Sequence, residues 1–93
     1  MDLTGRRKRS LRARAHDLSP VVQIGREGLH HTLADAVDRA LFDHELIKVK
    51  LPQVDRDERR AMAARIADHA EAGLVGLSGR VLILYRPRPD DAE

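Results

Sequence analysis

The 93-residue chain has no cysteine and no tryptophan, and its only aromatic residues are Phe42 and Tyr85. Without cysteine there is no disulfide framework, no thiol nucleophile and no cysteine-ligated zinc, so a reducing cytosol is the natural setting. Two aromatics cannot build the stacking platform on which many single-strand binders lay successive bases. The longest apolar run, Val81 to Tyr85, is far too short to span a bilayer. The basic N-terminal stretch continues into Ser10-Leu11-Arg12-Ala13-Arg14 rather than the apolar segment of a signal peptide. The expectation is a soluble cytoplasmic protein that does not engage a membrane.

Catalytic signatures are equally scarce. There is no HExxH, no GxSxG and no phosphate-binding P-loop, and the one Gly-x-x-Gly lacks the third glycine of a dinucleotide fingerprint. The histidines, His16, His30, His31, His44 and His69, fit no metal-ligand spacing, and surface histidines account for them. Asp55, Asp57 and Glu58 stand where a helix begins, and capping explains them without a metal. A ribonuclease needs a base, an acid and a phosphate clamp converging on one bond. His30 or His31 with Glu27 could supply such a set, although nothing in the pattern requires it. No enzyme, cofactor or metal is expected.

What the chain does have is an uneven charge. The formal net charge is only +2. Yet residues 1–16 carry Arg6, Arg7, Lys8, Arg9, Arg12 and Arg14 against the single acid Asp2, a local +5 that leaves −3 for the rest. A solvated helix face is the ordinary explanation for such a run. A compact chain with one cationic end can also hold a polyanion there while its acidic remainder limits unspecific sticking. Directly behind lies Val21-Val22-Gln23-Ile24-Gly25-Arg26-Glu27-Gly28-Leu29, an apolar strand, a Gly-x-x-Gly turn and the opening of an amphipathic helix. Backbone N–H groups and the positive end of a helix dipole suit a phosphate at such a place. The turn alone is weak evidence; beside a cationic helix it suggests a phosphate backbone as ligand.

The periodicities predict α-β-α-β-α-β-β. Thr4 caps a first helix to about His16, with a thin apolar seam of Leu11, Ala15 and Leu18 and arginine on its other faces. Val21 to Ile24 is a short strand. A second helix from about His30 to Phe42 buries Leu29, Leu33, Val37, Ala40 and Leu41. In the next strand, Glu45 to Leu51, the residues Ile47, Val49 and Leu51 alternate with Lys48 and Lys50, the pattern of a half-covered sheet. A third helix follows, with Asp55 and Glu58 at capping-box spacing, Met62, Ile66 and Ala70 inside, and Gly73 as its left-handed cap. Leu74–Leu77 and Val81–Tyr85 flank Ser78-Gly79 as a hairpin. The last strand is apolar on both faces, which places it centrally. The expected fold is α/β: three helices on a four-stranded mixed sheet, with two crossovers giving a parallel core and the hairpin adding an antiparallel pair. One domain fills residues 1–87, and residues 88–93 read as a flexible tail.

Several segments together resemble a known family. Leu3-Thr4-Gly5-Arg6-Arg7, Leu11-Arg12-Ala13-Arg14-Ala15-His16, Pro20-Val21-Val22-Gln23-Ile24-Gly25, Gly28-Leu29, His44-Glu45-Leu46-Ile47-Lys48-Val49-Lys50 and Leu82-Ile83-Leu84-Tyr85-Arg86-Pro87 resemble, in order, the CRM domain, named for chloroplast RNA splicing and ribosome maturation. The chain looks like the stand-alone bacterial YhbY type. The resemblance implies a fold related to the C-terminal domain of translation initiation factor 3. It further implies a non-catalytic RNA-binding protein whose partner is ribosomal RNA or a precursor particle of the large ribosomal subunit. A general structured-RNA chaperone is the alternative within that class. Carried over by position, Gly25, Arg26, Glu27 and Gly28 form the RNA-facing loop, and Arg6, Arg7, Lys8, Arg9, Arg12 and Arg14 lie on the adjoining surface. Two residues depart from the pattern. Glu27 stands where many relatives carry a small, polar or basic residue, and His30 stands where they often have threonine, a better helix cap. A monomer is expected, although the sequence does not fix the oligomeric state.

Overall fold

The computed structural model describes residues 2–89. Helix α1 spans Gly5–Ala15, strand β1 Pro20–Gln23, α2 His31–His44, β2 Leu46–Lys50, α3 Arg56–His69, β3 Gly73–Ser78 and β4 Val81–Tyr85. The sheet order is β1-β2-β4-β3. β1 runs parallel to β2, and β4 lies antiparallel to both its neighbours. Only one adjacent pair is therefore parallel. The parallel core expected from two crossovers does not form, because β4 inserts between β2 and β3. Its sequence explains the choice: a strand apolar on both faces gains most from cover on both sides.

Side-chain alternation divides the sheet between two layers. Ile47, Val49, Leu82 and Leu84 point to one face and pack with Val37 and Leu41 of α2 and with Met62, Ala63, Ile66 and Ala67 of α3. Leu46, Ile83 and Tyr85 point to the other, where they meet Leu11 and Ala15 of α1, Val75 of β3, and Leu3. So α2 and α3 cover one face and α1 alone covers part of the other. Leu11 is completely buried there. Truncating a leucine in such a place costs about 2–5 kcal/mol, enough to undock a helix held by so narrow a seam. Leu18, expected in that seam, is 40% exposed instead; α1 ends at Ala15, and helical spacing no longer carries the next residues onto the sheet.

The helix ends obey local chemistry. Thr4 Oγ1 accepts from the Arg7 N–H at 3.1 Å, and the Asp55 carboxylate accepts from the Glu58 N–H at 2.8 Å. α2 has no side-chain cap at His30 and starts one residue later than expected. At the end of α3 the left-handed residue is Glu71, with φ 52°, not Gly73. The Glu71 N–H donates to the Asp68 carbonyl and the Ala72 N–H to the Ala67 carbonyl, the paired closure of a Schellman motif. Gly73 instead opens β3.

The β3–β4 turn is Gly79-Arg80, one residue beyond the expected pair, because Ser78 pairs with Val81. Gly79 has φ 57°, a conformation that disfavours a side chain. β3 carries an extra residue between Leu74 and Gly76. That bulge lets both Leu74 and Leu77 face the α2/α3 core while Val75 faces α1. Arg86 and Arg88 follow β4 and fasten the helix ends. Arg86 binds the Asp38 carboxylate and the Ala70 carbonyl, each at 2.8 Å. Arg88, assigned from sequence to the tail, donates to the Phe42 and Asp43 carbonyls at 2.8 and 2.7 Å. These carbonyls belong to the last turn of α2, which has no partners of its own. Residues 90–93 of the expected tail lie outside the described residues.

Candidate nucleic-acid interface

The basic residues of α1 divide by what they touch. The Arg7 guanidinium sits 5.1 Å from the Tyr85 ring centroid and donates to the Tyr85 hydroxyl at 2.9 Å. Arg12 reaches across β3 toward the Val75 carbonyl at 3.5 Å. A Cβ on Gly76 would lie 3.4 Å from the Arg12 guanidinium, so that glycine leaves room for the side chain. Arg7 and Arg12 thus help to dock α1. They are not wholly free for a ligand, contrary to the reading that all arginines lie off the seam. Arg6, Arg9 and Arg14 are exposed and make no hydrogen bond or ion pair among the described residues. Lys8 is half-buried on the side toward Leu11 and Ala15.

The sheet adds charge beyond that of α1 and the turn. Lys48 and Lys50 are half-buried on β2 and face the α1 side, opposite to Ile47 and Val49. Lys48 Nζ donates to the His16 carbonyl at 3.3 Å, where a cation complements the C-terminal end of α1. Lys48 also shares a groove with Arg12, His16 and Ser78. The signal for these lysines was the two-residue alternation of the strand. It showed that they share a face, but not that α1 covers only part of it.

The Gly-x-x-Gly turn is closed by a hydrogen bond from the Gly28 N–H to the Gly25 carbonyl at 3.0 Å. Gly28 has φ 82° and open space where a side chain would go. Gly25 needs no special dihedral, but a Cβ there would collide with the Glu27 carboxylate, which folds back over it. The opening that Gly25 provides is therefore filled by the chain's own anion. Arg26 is exposed. α2 begins only after Leu29 and His30, so the turn does not itself form the helix N-terminus. Glu27 and Gly28 line a depression with Arg65, Asp68 and His69 of α3.

α1 and the turn belong to different layers. α1 packs on the face bearing Tyr85 and Ile83, whereas Ile24 and Leu29, which flank the turn, are rooted in the α2/α3 core. The structure groups Arg12 with Lys48, and Gly28 with Arg65. It does not gather helix and turn into one cluster of contacts. His30 and His31 are exposed, with ring centroids 6.4 Å apart in an edge-on arrangement. Among the described residues no charged or polar side chain is buried, and no group of three or more His, Asp or Glu side chains could hold a metal ion. No helix among them is long and apolar enough to cross a membrane.

A small α/β domain with one arginine-rich helix on an otherwise half-open sheet is thus the class that fold and surface define. Residues 3–86 match the family model described as the CRS1 / YhbY (CRM) domain, and the chain belongs to that family. It is 37% identical over 89 residues to a protein of Pseudomonas aeruginosa that carries the name "Probable RNA-binding protein", covering 96% of this chain and 86% of that one. It is 38% identical over 85 residues to a Haemophilus influenzae protein named "RNA-binding protein", covering 91% of this chain and 86% of that one. A solution structure of a Staphylococcus aureus protein superposes with a TM-score of 0.84 at 34% identity, over 92% of this chain and 90% of that one.

Proposed function

We propose that the protein is a non-catalytic RNA-binding protein that assists assembly of the large ribosomal subunit in the cytoplasm, with ribosomal RNA or a subunit precursor as its partner. The observation that carries this reading is the set of α1 arginines without intramolecular partners among the described residues, Arg6, Arg9 and Arg14, together with Lys48 and Lys50 on the sheet face that α1 covers in part. Such cations displace counterions from a phosphate backbone, and their contribution is independent of base sequence. The lack of an aromatic platform directs recognition toward shape, and structured ribosomal RNA offers shape. The names of the relatives agree with RNA as the ligand.

Loading of purified protein onto large-subunit precursor particles, followed by gradient sedimentation, tests the proposal. Migration with the precursors, abolished by nuclease, is expected; migration free of them contradicts it. Incubation with labelled ribosomal RNA should give no cleavage, and a product dependent on His30 or His31 would make the protein a ribonuclease.

A further inference from the structure

A second surface feature lies beside α1 and is not explained by phosphate binding. Leu18 and Val21 are 40% and 51% exposed, and both line a shallow slot whose floor reaches Leu46 and Ile47. Two structural facts open it. The register of β1 slips between Pro20 and Val22, so Val21 occupies the irregular step of an edge strand. And β1 begins opposite Lys48, so the Leu46–Ile47 stretch of β2 has no strand on that side. Arg14 and His44 form the rim. The neighbouring depressions each contain a carboxylate: Asp17 beside Lys48, and Glu27 with Asp68 beside the turn. This slot has none.

We infer that the slot receives one unpaired nucleobase of the bound RNA, flanked by the aliphatic side chains of Leu18 and Val21 while Arg14 holds the adjoining phosphate. The inference rests on the RNA-binding reading of α1 and adds to it a preference for helices interrupted by a bulge or junction. An aliphatic slot bordered by a guanidinium and by the stretch of β2 that β1 does not pair, Leu46–Ile47, supplies what an unstacked base needs. It offers an apolar face for the ring, hydrogen-bonding groups for its edge and a planar cation for stacking or for phosphate. Charge decides the occupant: a rim whose charged side chain is Arg14, with no acid among the described lining residues, favours a polyanion over a basic peptide.

The test compares two hairpin RNAs of equal length, one fully paired and one with a single unpaired 2-aminopurine. The wild-type protein should bind the bulged RNA about fivefold tighter, an effect at the lower end of stacking contributions, and the 2-aminopurine fluorescence should change on binding. Leu18→Ser with Val21→Thr should remove that preference and leave affinity for the paired hairpin unchanged. Both side chains are largely exposed, and a circular-dichroism melt of the variant checks its fold. The fluorescence change in wild type is an independent reading should the variant be unstable. Equal wild-type affinity for the two hairpins with an unchanged fluorescence overturns the slot and leaves RNA binding by α1 standing. Failure to bind either hairpin overturns both. A concentration-dependent dimer in sedimentation that the double variant abolishes would assign the slot to a second copy of the chain and also overturn the inference.

Discussion

Replacing Arg6, Arg9 and Arg14 together by alanine separates function from folding. These are the α1 arginines without intramolecular partners among the described residues, so their removal leaves the Leu11–Ala15 seam and the Arg7–Tyr85 contact in place. Surface changes of this kind shift stability by about 0.5 kcal/mol or less each. If each arginine neutralises one phosphate, the slope of log affinity against log salt should become shallower by roughly 0.7–0.9 per residue, the range from single strand to duplex, or between about 2 and 3 in all. Between about 50 and 200 mM salt, that is a difference of more than tenfold in how far affinity falls. Fluorescence anisotropy of a labelled ribosomal hairpin across a salt series measures it, with a thermal melt as control. An unchanged slope in a folded triple variant would refute the assignment of these side chains to phosphates.

The docking arginine predicts the reverse pattern. Arg7→Ala should destabilise by about 1–2 kcal/mol through loss of the cation–π contact and the tyrosine hydrogen bond, read by urea denaturation. Tyr85→Phe, which keeps the ring, should cost less than Arg7→Ala in the same assay. At the turn, Glu27→Lys should raise RNA affinity at low salt, since it removes the carboxylate that lies over Gly25; unchanged affinity would take the turn away from the RNA backbone. Glu71→Gly should stabilise by about 1 kcal/mol, because the left-handed conformation there carries a side-chain penalty, and a lowered melting temperature would contradict this. Arg88→Ala should lower stability by about 1–2 kcal/mol, as two last-turn carbonyls of α2 lose their donor.

Much of this fold was legible because hydrophobic spacing reports local geometry directly. The seven elements, the cap at Thr4, the alternation in β2 and the central place of the Val81–Tyr85 strand all follow from periodicity and capping chemistry. The misplacements arose where tertiary context or a one-residue shift decides. Gly73 looked like a helix stop, but the Schellman closure falls two residues earlier and Glu71 accepts the strained conformation. Leu18 continued the α1 spacing on paper, yet the helix had already ended. The parallel core failed because β4, whose own sequence signals a central place, inserts between β2 and β3, and which two strands flank it is set by pairing that its sequence alone does not name. For the candidate site, the density of charge on α1 was visible, but its division into docking and free arginines was not. Arg7 finds Tyr85 across 78 residues of chain, and only the folded sheet brings them together. The same holds for the grouping of Arg12 with Lys48, and for the fold of Glu27 over Gly25.

The central claim is that the free arginines of α1 hold ribosomal RNA of the large subunit. Crosslinking in cells, followed by sequencing of the bound RNA for wild type and for the Arg6/Arg9/Arg14 alanine variant, tests it most directly. The account predicts that wild-type crosslinks concentrate on large-subunit ribosomal RNA and are lost in the variant although its protein level is unchanged. Crosslinks spread over unrelated transcripts, or a ribosomal pattern that persists without those three arginines, would contradict it.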